Sequence, residues 1–141
     1  MMSDIHSKEI RSFNMSRIRS KDTRPEMLVR KYLHSKGFRY RIHDKNLPGK
    51  PDMVLPKYKT IIFINGCFWH RHEGCNLNRP PKENQDFWLP KLAKNVAKDK
   101  INYTLLSELG YTVITVWECT LKKSIREKTF DWLIAKLKYS K

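Results

Sequence analysis

The stretch TIIFINGCFWHRHEGC occupies residues 60–75, and the rest of the chain is organised around it. Its first five residues are β-branched or aromatic, and an apolar run of this length is typical of a strand buried on both faces. The dipeptide Asn65-Gly66 predicts the end of that strand, because Asn-Gly commonly forms turns. The sequence therefore predicts a central buried strand that leads into a polar loop, which is a common way to hold a site on a rigid support.

The loop after this strand combines side chains of several chemistries. Two cysteines and two histidines within nine residues can ligate a metal, and a histidine can also transfer protons near neutral pH. Two large aromatic side chains, Phe68 and Trp69, stand among them. The loop is therefore the first candidate for a functional site.

The flanking sequence predicts an α/β domain with a mixed central β-sheet flanked by helices. Thr23, Pro25 and Glu26 predict a helix start, with Thr23 as the cap and Glu26 at the third helical position of a capping box. The other expected elements are a strand over residues 38–42, a strand over 52–55, a helix that Asp86 caps and that ends at Gly110 after a break or bend near Pro90, a strand over 111–117 and a helix over about 124–137.

Length and composition indicate a single domain that binds a polyanion. The chain has 141 residues, and 29 Lys and Arg against 14 Asp and Glu give a formal net charge of +15. Such a field attracts nucleic acid, which is the first partner to consider, ahead of an anionic membrane surface or no partner at all. The sequence contains no apolar run of the roughly 20 residues that a membrane-spanning helix needs, and its polar N-terminus does not resemble a signal peptide. We therefore expect a cytoplasmic, monomeric protein that does not bind a membrane.

The first 21 residues predict a basic segment ahead of the domain of residues 22–141. Arginines and lysines alternate there with apolar residues such as Met15. The segment could be a frayed basic tail, or an arm that lies along DNA with Met15 against the bases.

Four side chains could form a tetrahedral zinc site. Cys67, His72 and Cys75 lie within nine residues, and Cys119 lies at the end of a later strand. Two strand ends of one sheet can lie side by side, which would bring all four together as a Cys₃His set. The alternatives are that free cysteines pack as small hydrophobic side chains, and that His70 takes the place of His72.

Asp52 is the candidate carboxylate for a catalytic metal. Pro51-Asp52 precedes an apolar strand, as in a broad class of metal-dependent nucleases in which the aspartate holds Mg²⁺. Those nucleases carry an acid, one residue and a lysine on the next strand, and residues 60–65 contain neither an acid nor a lysine. On its own, therefore, Asp52 could equally be an acceptor in a turn.

The combined motifs resemble the very-short-patch-repair endonucleases, the Vsr family. The resemblance extends over most of residues 11–121 and depends most on two motifs, GCFWH at residues 66–70 and WEC at 117–119. The other motifs that carry it are Asn14-Met15, Asp22-Thr23, Glu26, LPGKPD at 47–52, Cys75, FWLPK at 87–91 and Lys94-Asn95.

The resemblance implies a restriction-endonuclease-like core with a structural zinc site. It further implies a bacterial enzyme, acting on the nucleoid, that uses Mg²⁺ to nick one strand of duplex DNA beside the thymine of a T:G mismatch. Such mismatches arise when 5-methylcytosine deaminates, and the nick begins very short patch repair. Other mismatch-repair proteins are candidate partners.

The resemblance also implies roles for individual residues. Asp52 matches the family's metal-binding carboxylate, His70 its catalytic histidine and Glu26 an acid that supports the hydrated metal. The remaining matches are the zinc ligands Cys67, His72, Cys75 and Cys119, the intercalating aromatics Phe68, Trp69 and Trp88, and Met15 of the DNA-contacting arm.

Ile64-Asn65 departs from the family pattern, where the best-known members carry Thr-His. The main-chain carbonyl of Ile64 can still serve as a Mg²⁺ ligand, whereas Asn65 cannot act as an acid or a base. Two alternative functions remain open from the sequence. One is a related duplex nickase without mismatch specificity, and the other is a non-catalytic zinc-containing DNA-binding module, which would need neither Asp52 nor His70.

Overall fold

A four-stranded sheet in the order β1-β2-β3-β4 forms the centre of the computed structural model, which describes residues 23–75 and 83–139. The strands are β1 (Arg41–Ile42), β2 (Met53–Leu55), β3 (Thr60–Asn65) and β4 (Thr112–Trp117). β1 and β2 pair antiparallel, as do β2 and β3, whereas β3 and β4 pair parallel. The predicted α/β class and mixed sheet are confirmed. The expected N-terminal arm and Met15 lie outside the described residues.

β3 is buried along its whole length, as its apolar run predicts. Because side chains alternate across a strand, Ile62 and Ile64 point to one face of the sheet while Ile61 and Phe63 point to the other. Asn65, which was expected to begin the turn, is instead the last residue of the strand and is itself buried. Two apolar cores therefore share this strand and hold its end in a fixed place.

Helices α1 (Arg24–Ser35) and α3 (Arg126–Tyr139) cover the first face of the sheet. Val29 and Leu33 of α1 pack there with Leu133 and Leu137 of α3. Thr23 caps α1 as expected, because its side chain accepts a hydrogen bond from the Glu26 N–H at 3.4 Å. This packing also fixes the position of Glu26, which is buried near the start of α1.

Helix α2 (Gln85–Glu108) covers the second face, mainly through Leu106 and Tyr103 against β3. It corrects two expectations. The N-cap position is Asn84, in a left-handed conformation with φ 60°, and Asp86 lies inside the first turn. The helix also continues through Pro90 without a break, since a proline this close to the start removes only one hydrogen bond of the first turns.

The predicted strand over residues 38–42 forms only at Arg41–Ile42, and Ile42 is 44% exposed. Phe38 lies before this strand and packs in the core with α1. The alternation of apolar residues over 38–42 therefore arises partly from a loop and only partly from a strand. Among the described residues, no helix is both long enough and apolar enough to cross a membrane.

Candidate active site

One edge of the sheet collects most of the side chains that the sequence singles out. β2 runs antiparallel to β3, so Asp52 at the start of β2 lies beside the end of β3. β4 runs parallel to β3, so Glu118 and Cys119, which follow β4, lie beside the loop that follows β3. Residues distant in sequence therefore meet at this edge.

Asp52 is held rigidly against β3. Its Oδ2 accepts a hydrogen bond from the Ile64 main-chain N–H at 2.6 Å. The pKa of Asp52 is raised to about 7, mainly by burial and in part by the nearby Glu26 carboxylate, against the lowering effect of the Ile64 N–H. A carboxyl group of this kind gives up its proton readily when a cation arrives, which suits a metal ligand.

Glu26 approaches Asp52 from helix α1. Its Oε2 accepts a hydrogen bond from Arg30 Nη2 at 2.9 Å and lies 3.5 Å from His43 Nε2. Oxygen and nitrogen donors of Glu26, His43 and Asp52 lie within 4.8 Å of one another, close enough to hold one ion. Asp52 and Glu26 are thus brought together as expected, and His43 and Arg30 join them.

His70 forms a pair with Asp99 of α2. Its Nδ1 lies 2.5 Å from Asp99 Oδ2, and its main-chain N–H donates to the Gly66 carbonyl at 3.1 Å. A carboxylate at Nδ1 fixes the tautomer and the ring orientation, and it leaves Nε2 as the nitrogen able to accept a proton. The arrangement can therefore perform general base chemistry.

Asn65 and Tyr103 link the two halves of the site. Asn65 Nδ2 donates to the Tyr103 hydroxyl at 2.9 Å, and Tyr103 packs on Phe63. Burial raises the pKa of Tyr103 against the lowering effect of its hydrogen bond with Asn65, and the negative charges of Asp99 and Asp52 add to the rise. Asn65, the departure from the family pattern, thus makes a neutral hydrogen bond that ties the end of β3 to α2, the helix that carries Asp99.

The predicted Cys₃His set also comes together. Donor atoms of Cys67, His72, Cys75 and Cys119 lie within 4.8 Å of one another. His72 Nδ1 lies 3.6 Å from Cys67 Sγ and 3.4 Å from Cys119 Sγ, against about 3.5–3.8 Å between ligands of a tetrahedral zinc ion. The donor set therefore fits zinc, with His72 rather than His70 beside the sulfur atoms.

The surroundings of this Cys/His group hold it in shape. The His72 ring stacks on Trp117 with centroids 4.2 Å apart, and the Cys67 N–H donates to Glu118 Oε1 at 2.9 Å. Burial raises the pKa of the Cys67 thiol to about 12, so a cation is needed to keep this sulfur as a thiolate at neutral pH.

Three expected intercalating side chains form one aromatic cluster. Phe68, Trp69 and Trp88 contact one another edge to face, with centroids 4.9–5.8 Å apart. Phe87, which is 60% exposed, packs on Trp88, and Lys91 Nζ lies 5.7–5.9 Å from three of these rings. The cluster is half-buried and sits beside a cation, which is a surface suited to stacking on bases near a phosphate chain.

Sequence reasoning missed Arg30, His43, Asp99 and Tyr103. Arg30 follows Glu26 by one helical turn, and that i, i+4 spacing is a signal for a pair on one helix face. Asp99 and Tyr103 share the same spacing on α2. His43 has no local signal, because it reaches the site only through the pairing of β1 with β2.

Comparisons with known proteins identify the family of this chain. The sequence profile of the family described as DNA mismatch endonuclease Vsr matches residues 3–77. The type II nicking enzyme V.NmeAIP of Neisseria meningitidis serogroup A is 51% identical over 138 residues, which cover 97% of this chain and 98% of that enzyme. The DNA mismatch endonuclease Vsr of Escherichia coli K12 is 43% identical over 130 residues, 92% of this chain and 81% of that enzyme. The type II nicking enzyme V.XorIIP of Xanthomonas oryzae is 46% identical over 120 residues, 85% and 88% of the two chains. With a profile match over more than half of its length and relatives this similar along nearly all of it, the chain belongs to the Vsr family and is a DNA endonuclease.

Proposed function

We propose that this endonuclease uses Mg²⁺ to nick one strand of duplex DNA beside the thymine of a T:G mismatch, and so begins very short patch repair. The observation that carries the proposal is that Asp52 and the His70–Asp99 pair both adjoin the end of β3, where Asp52 accepts from the Ile64 N–H and the His70 N–H donates to the Gly66 carbonyl. A metal-binding carboxylate and an oriented histidine at one sheet edge are the two parts that hydrolysis of a phosphodiester requires. The sheet edge also supports a restriction-endonuclease-like core, with Asp52 at the start of one strand and Ile64 near the end of the next.

Asp52 and Glu26, with the main-chain carbonyl of Ile64, would hold the catalytic ion. Bound there, Mg²⁺ would supply Lewis-acid stabilisation of the phosphate charge that develops during hydrolysis. His70 Nε2 takes a proton from the attacking water, and Asp99 stabilises the charged imidazole that results. Tyr103 and Asn65 keep the two halves of the site at a fixed separation.

The Cys/His group would hold a structural zinc ion at the base of the active-site loop. Phe68, Trp69 and His70 lie between Cys67 and His72, so a metal that joins these two ligands restrains all three side chains. A closed set of four protein ligands leaves no open position for a substrate, as in structural zinc sites. The metal would thus stabilise the loop without taking part in hydrolysis.

The aromatic cluster would select the mismatch. Separating two stacked base pairs costs a few kcal/mol, and it costs less at a mispair, so wedging aromatic rings into the stack favours a lesion. Phe68, Trp69 and Trp88 lie close enough to act as one wedge, and the net charge of +15 attracts the duplex. The residue Met15 and its basic neighbours would add contacts to the DNA.

A strand-specific nicking assay tests the proposal. Each strand of a duplex with one T:G mispair is labelled in turn, the flanking bases are varied, and a matched T:A duplex is run in parallel with Mg²⁺ or EDTA. We expect a Mg²⁺-dependent cut in one strand, next to the mismatched thymine. Equal cutting of both duplexes would identify a nickase without mismatch specificity, and tight binding with no cut in any context would identify a DNA-binding module.

A further inference from the structure

His43 approaches the carboxylates of the active site through a strained backbone. It directly follows β1, where its N–H donates to the Asp52 carbonyl at 3.4 Å, and its φ is 51°. A left-handed conformation is uncommon for a residue other than glycine, and such strain concentrates at functional sites. In this conformation the ring turns towards α1, with Nε2 at 3.5 Å from Glu26 Oε2.

Three donor atoms then face one another across a small space. The carboxylate oxygens of Glu26 and Asp52 and a ring nitrogen of His43 lie within 4.8 Å of one another. Ligands of an octahedral ion lie about 3 Å apart when adjacent and about 4.2 Å apart when opposite. The three atoms therefore need only small movements to bind one ion.

Arg30 already places a positive charge between two of these donors. Its Nη2 lies 2.9 Å from Glu26 Oε2 and 2.8 Å from His43 Nε2. The same guanidinium nitrogen therefore bridges two atoms that an ion would bridge. His43 must offer a lone pair at Nε2 to accept from Arg30, and a lone pair at this nitrogen is also what binds a metal.

We propose that His43 is a third side-chain ligand of the catalytic ion, that Arg30 is an internal cation which the ion displaces, and that the site consequently prefers Mn²⁺ to Mg²⁺. The inference extends the proposed function, because it requires the ion to lie at Asp52 and Glu26. Imidazole suits first-row transition ions, whereas Mg²⁺ favours oxygen ligands and retains its waters. The charge on Arg30 balances the buried carboxylates while no ion is bound, and it opposes binding of either ion.

Metal affinity of the full-length, zinc-loaded protein tests the ligand role. Free Mn²⁺ is followed by electron paramagnetic resonance during a titration, and Mg²⁺ is added in competition. The wild type should bind Mn²⁺ at least about ten-fold more tightly than Mg²⁺. In His43→Asn, which tolerates a positive φ but has a shorter side chain, most of that preference should disappear while Mg²⁺ affinity changes little. An unchanged preference in this variant would overturn the proposal.

The bound Mn²⁺ also reports its ligands directly. A coordinated imidazole nitrogen produces ¹⁴N modulation of the pulsed Mn²⁺ signal, which should be present in the wild type and in His70→Ala but absent in His43→Asn. Modulation that persists in His43→Asn and disappears in His70→Ala would assign the nitrogen to His70 and overturn the proposal. Because the Cys/His group is filled with zinc, it does not contribute to this signal.

Two further variants separate this inference from the function on which it rests. Arg30→Met removes the internal cation and should raise the affinity for both ions about ten-fold or more, whereas unchanged or weaker binding would overturn its role as competitor. Asp52→Asn should lose binding of both ions. If Asp52→Asn loses binding while His43→Asn binds as the wild type does, the nuclease site stands and the role of His43 fails. If Asp52→Asn still binds Mn²⁺ normally, the proposed position of the ion fails, and the role of His43 fails with it.

Discussion

Two candidate metal sites share one edge of the sheet, and they differ in how the charge of their ligands is neutralised when no ion is bound. In the Cys/His group, burial raises the pKa of the Cys67 and Cys119 thiols, and the four donor atoms lie within 4.8 Å of one another. In the carboxylate group, Arg30 supplies a positive charge between Glu26 and His43. In the proposed assignment, zinc would keep the buried sulfurs as thiolates and stay bound, whereas an ion at the carboxylate group would replace the charge of Arg30 and could leave again. One site is therefore suited to stability and the other to turnover.

The strongest test of this difference is Asp52→Ala. Removing the carboxylate should lower the nicking rate by about three orders of magnitude or more, since the ion loses its main ligand. Binding of T:G duplex should change little, and the melting temperature near pH 7.5 should not fall markedly, because the buried carboxylate contributes little stability once its proton is lost. The measurements are single-turnover cleavage, a binding titration in Ca²⁺ and a thermal melt. Normal cleavage by this variant would remove Asp52 from the mechanism.

Cys119→Ser should give the opposite result. The wild type should contain about one zinc ion per chain, and the variant should retain much less, because serine is a poor zinc ligand. Loss of a structural zinc should destabilise the protein by several kcal/mol and lower its melting temperature markedly. Elemental analysis and a thermal melt measure both effects, and Cys119→Ser with full zinc content and an unchanged melt would contradict the structural role.

The sequence predicts one of these sites much better than the other, for a physical reason. Three of the four Cys/His ligands lie within nine residues, and parallel pairing of the two strands that precede them explains the fourth. Glu26 and Asp52 are recognisable only by resemblance to a family, because 26 residues and a change of element separate them. His43 depends on a two-residue strand and a positive φ, neither of which has a strong sequence signal.

Asn65 shows a second limit of the sequence. The dipeptide Asn65-Gly66 predicts a turn from local preference, yet Asn65 completes β3, and its buried side chain donates a hydrogen bond to the half-buried Tyr103. A tertiary hydrogen bond of this kind overrides local preference. The central strand, the helices and the sheet class were predictable, since they follow from long apolar patterns.

His70→Ala tests the candidate general base, which lies beside the carboxylate group but does not hold the ion. The nicking rate should fall about 10²–10⁴-fold, which is the usual contribution of a general base. Asp99→Asn should lower the rate less, because it disturbs the orientation of His70 and leaves Nε2 in place. Both variants should bind Mg²⁺ or Mn²⁺ with near-normal affinity, which separates them from Asp52→Ala. A near-normal rate in His70→Ala would place the base elsewhere.

Trp88→Ala tests whether the aromatic cluster beside the Cys/His group contacts DNA at the mismatch. Losing one stacking ring should weaken binding of T:G duplex by roughly 1–3 kcal/mol relative to matched T:A duplex. Trp132→Ala is a matched control, since Trp132 lies on α3, is 43% exposed and does not belong to the aromatic cluster. Equal losses for the two variants, or equal losses on the two duplexes, would contradict a role in mismatch selection.

The smallest expected effect concerns the proton that the carboxylate group holds when no ion is bound. The pKa of Asp52 is about 7 in the folded protein against an ordinary value of 3.8, mainly because of burial. Between these two values the folded state keeps a proton that the unfolded state has lost, so the contribution of Asp52 to stability falls as the pH rises from about 4 to about 7. In zinc-loaded protein without Mg²⁺, the melting temperature of Asp52→Asn should therefore gain several degrees on the wild type between pH 5 and pH 7.5.

Asp131→Asn, on the exposed side of α3, should show no such gain. Addition of Mg²⁺ at pH 7.5 should stabilise the wild type but not Asp52→Asn, because an ion replaces the proton only where the carboxylate is present. A difference between the variants that stays constant with pH would show that Asp52 is already ionised, and it would leave the two metal sites less different than the structure indicates.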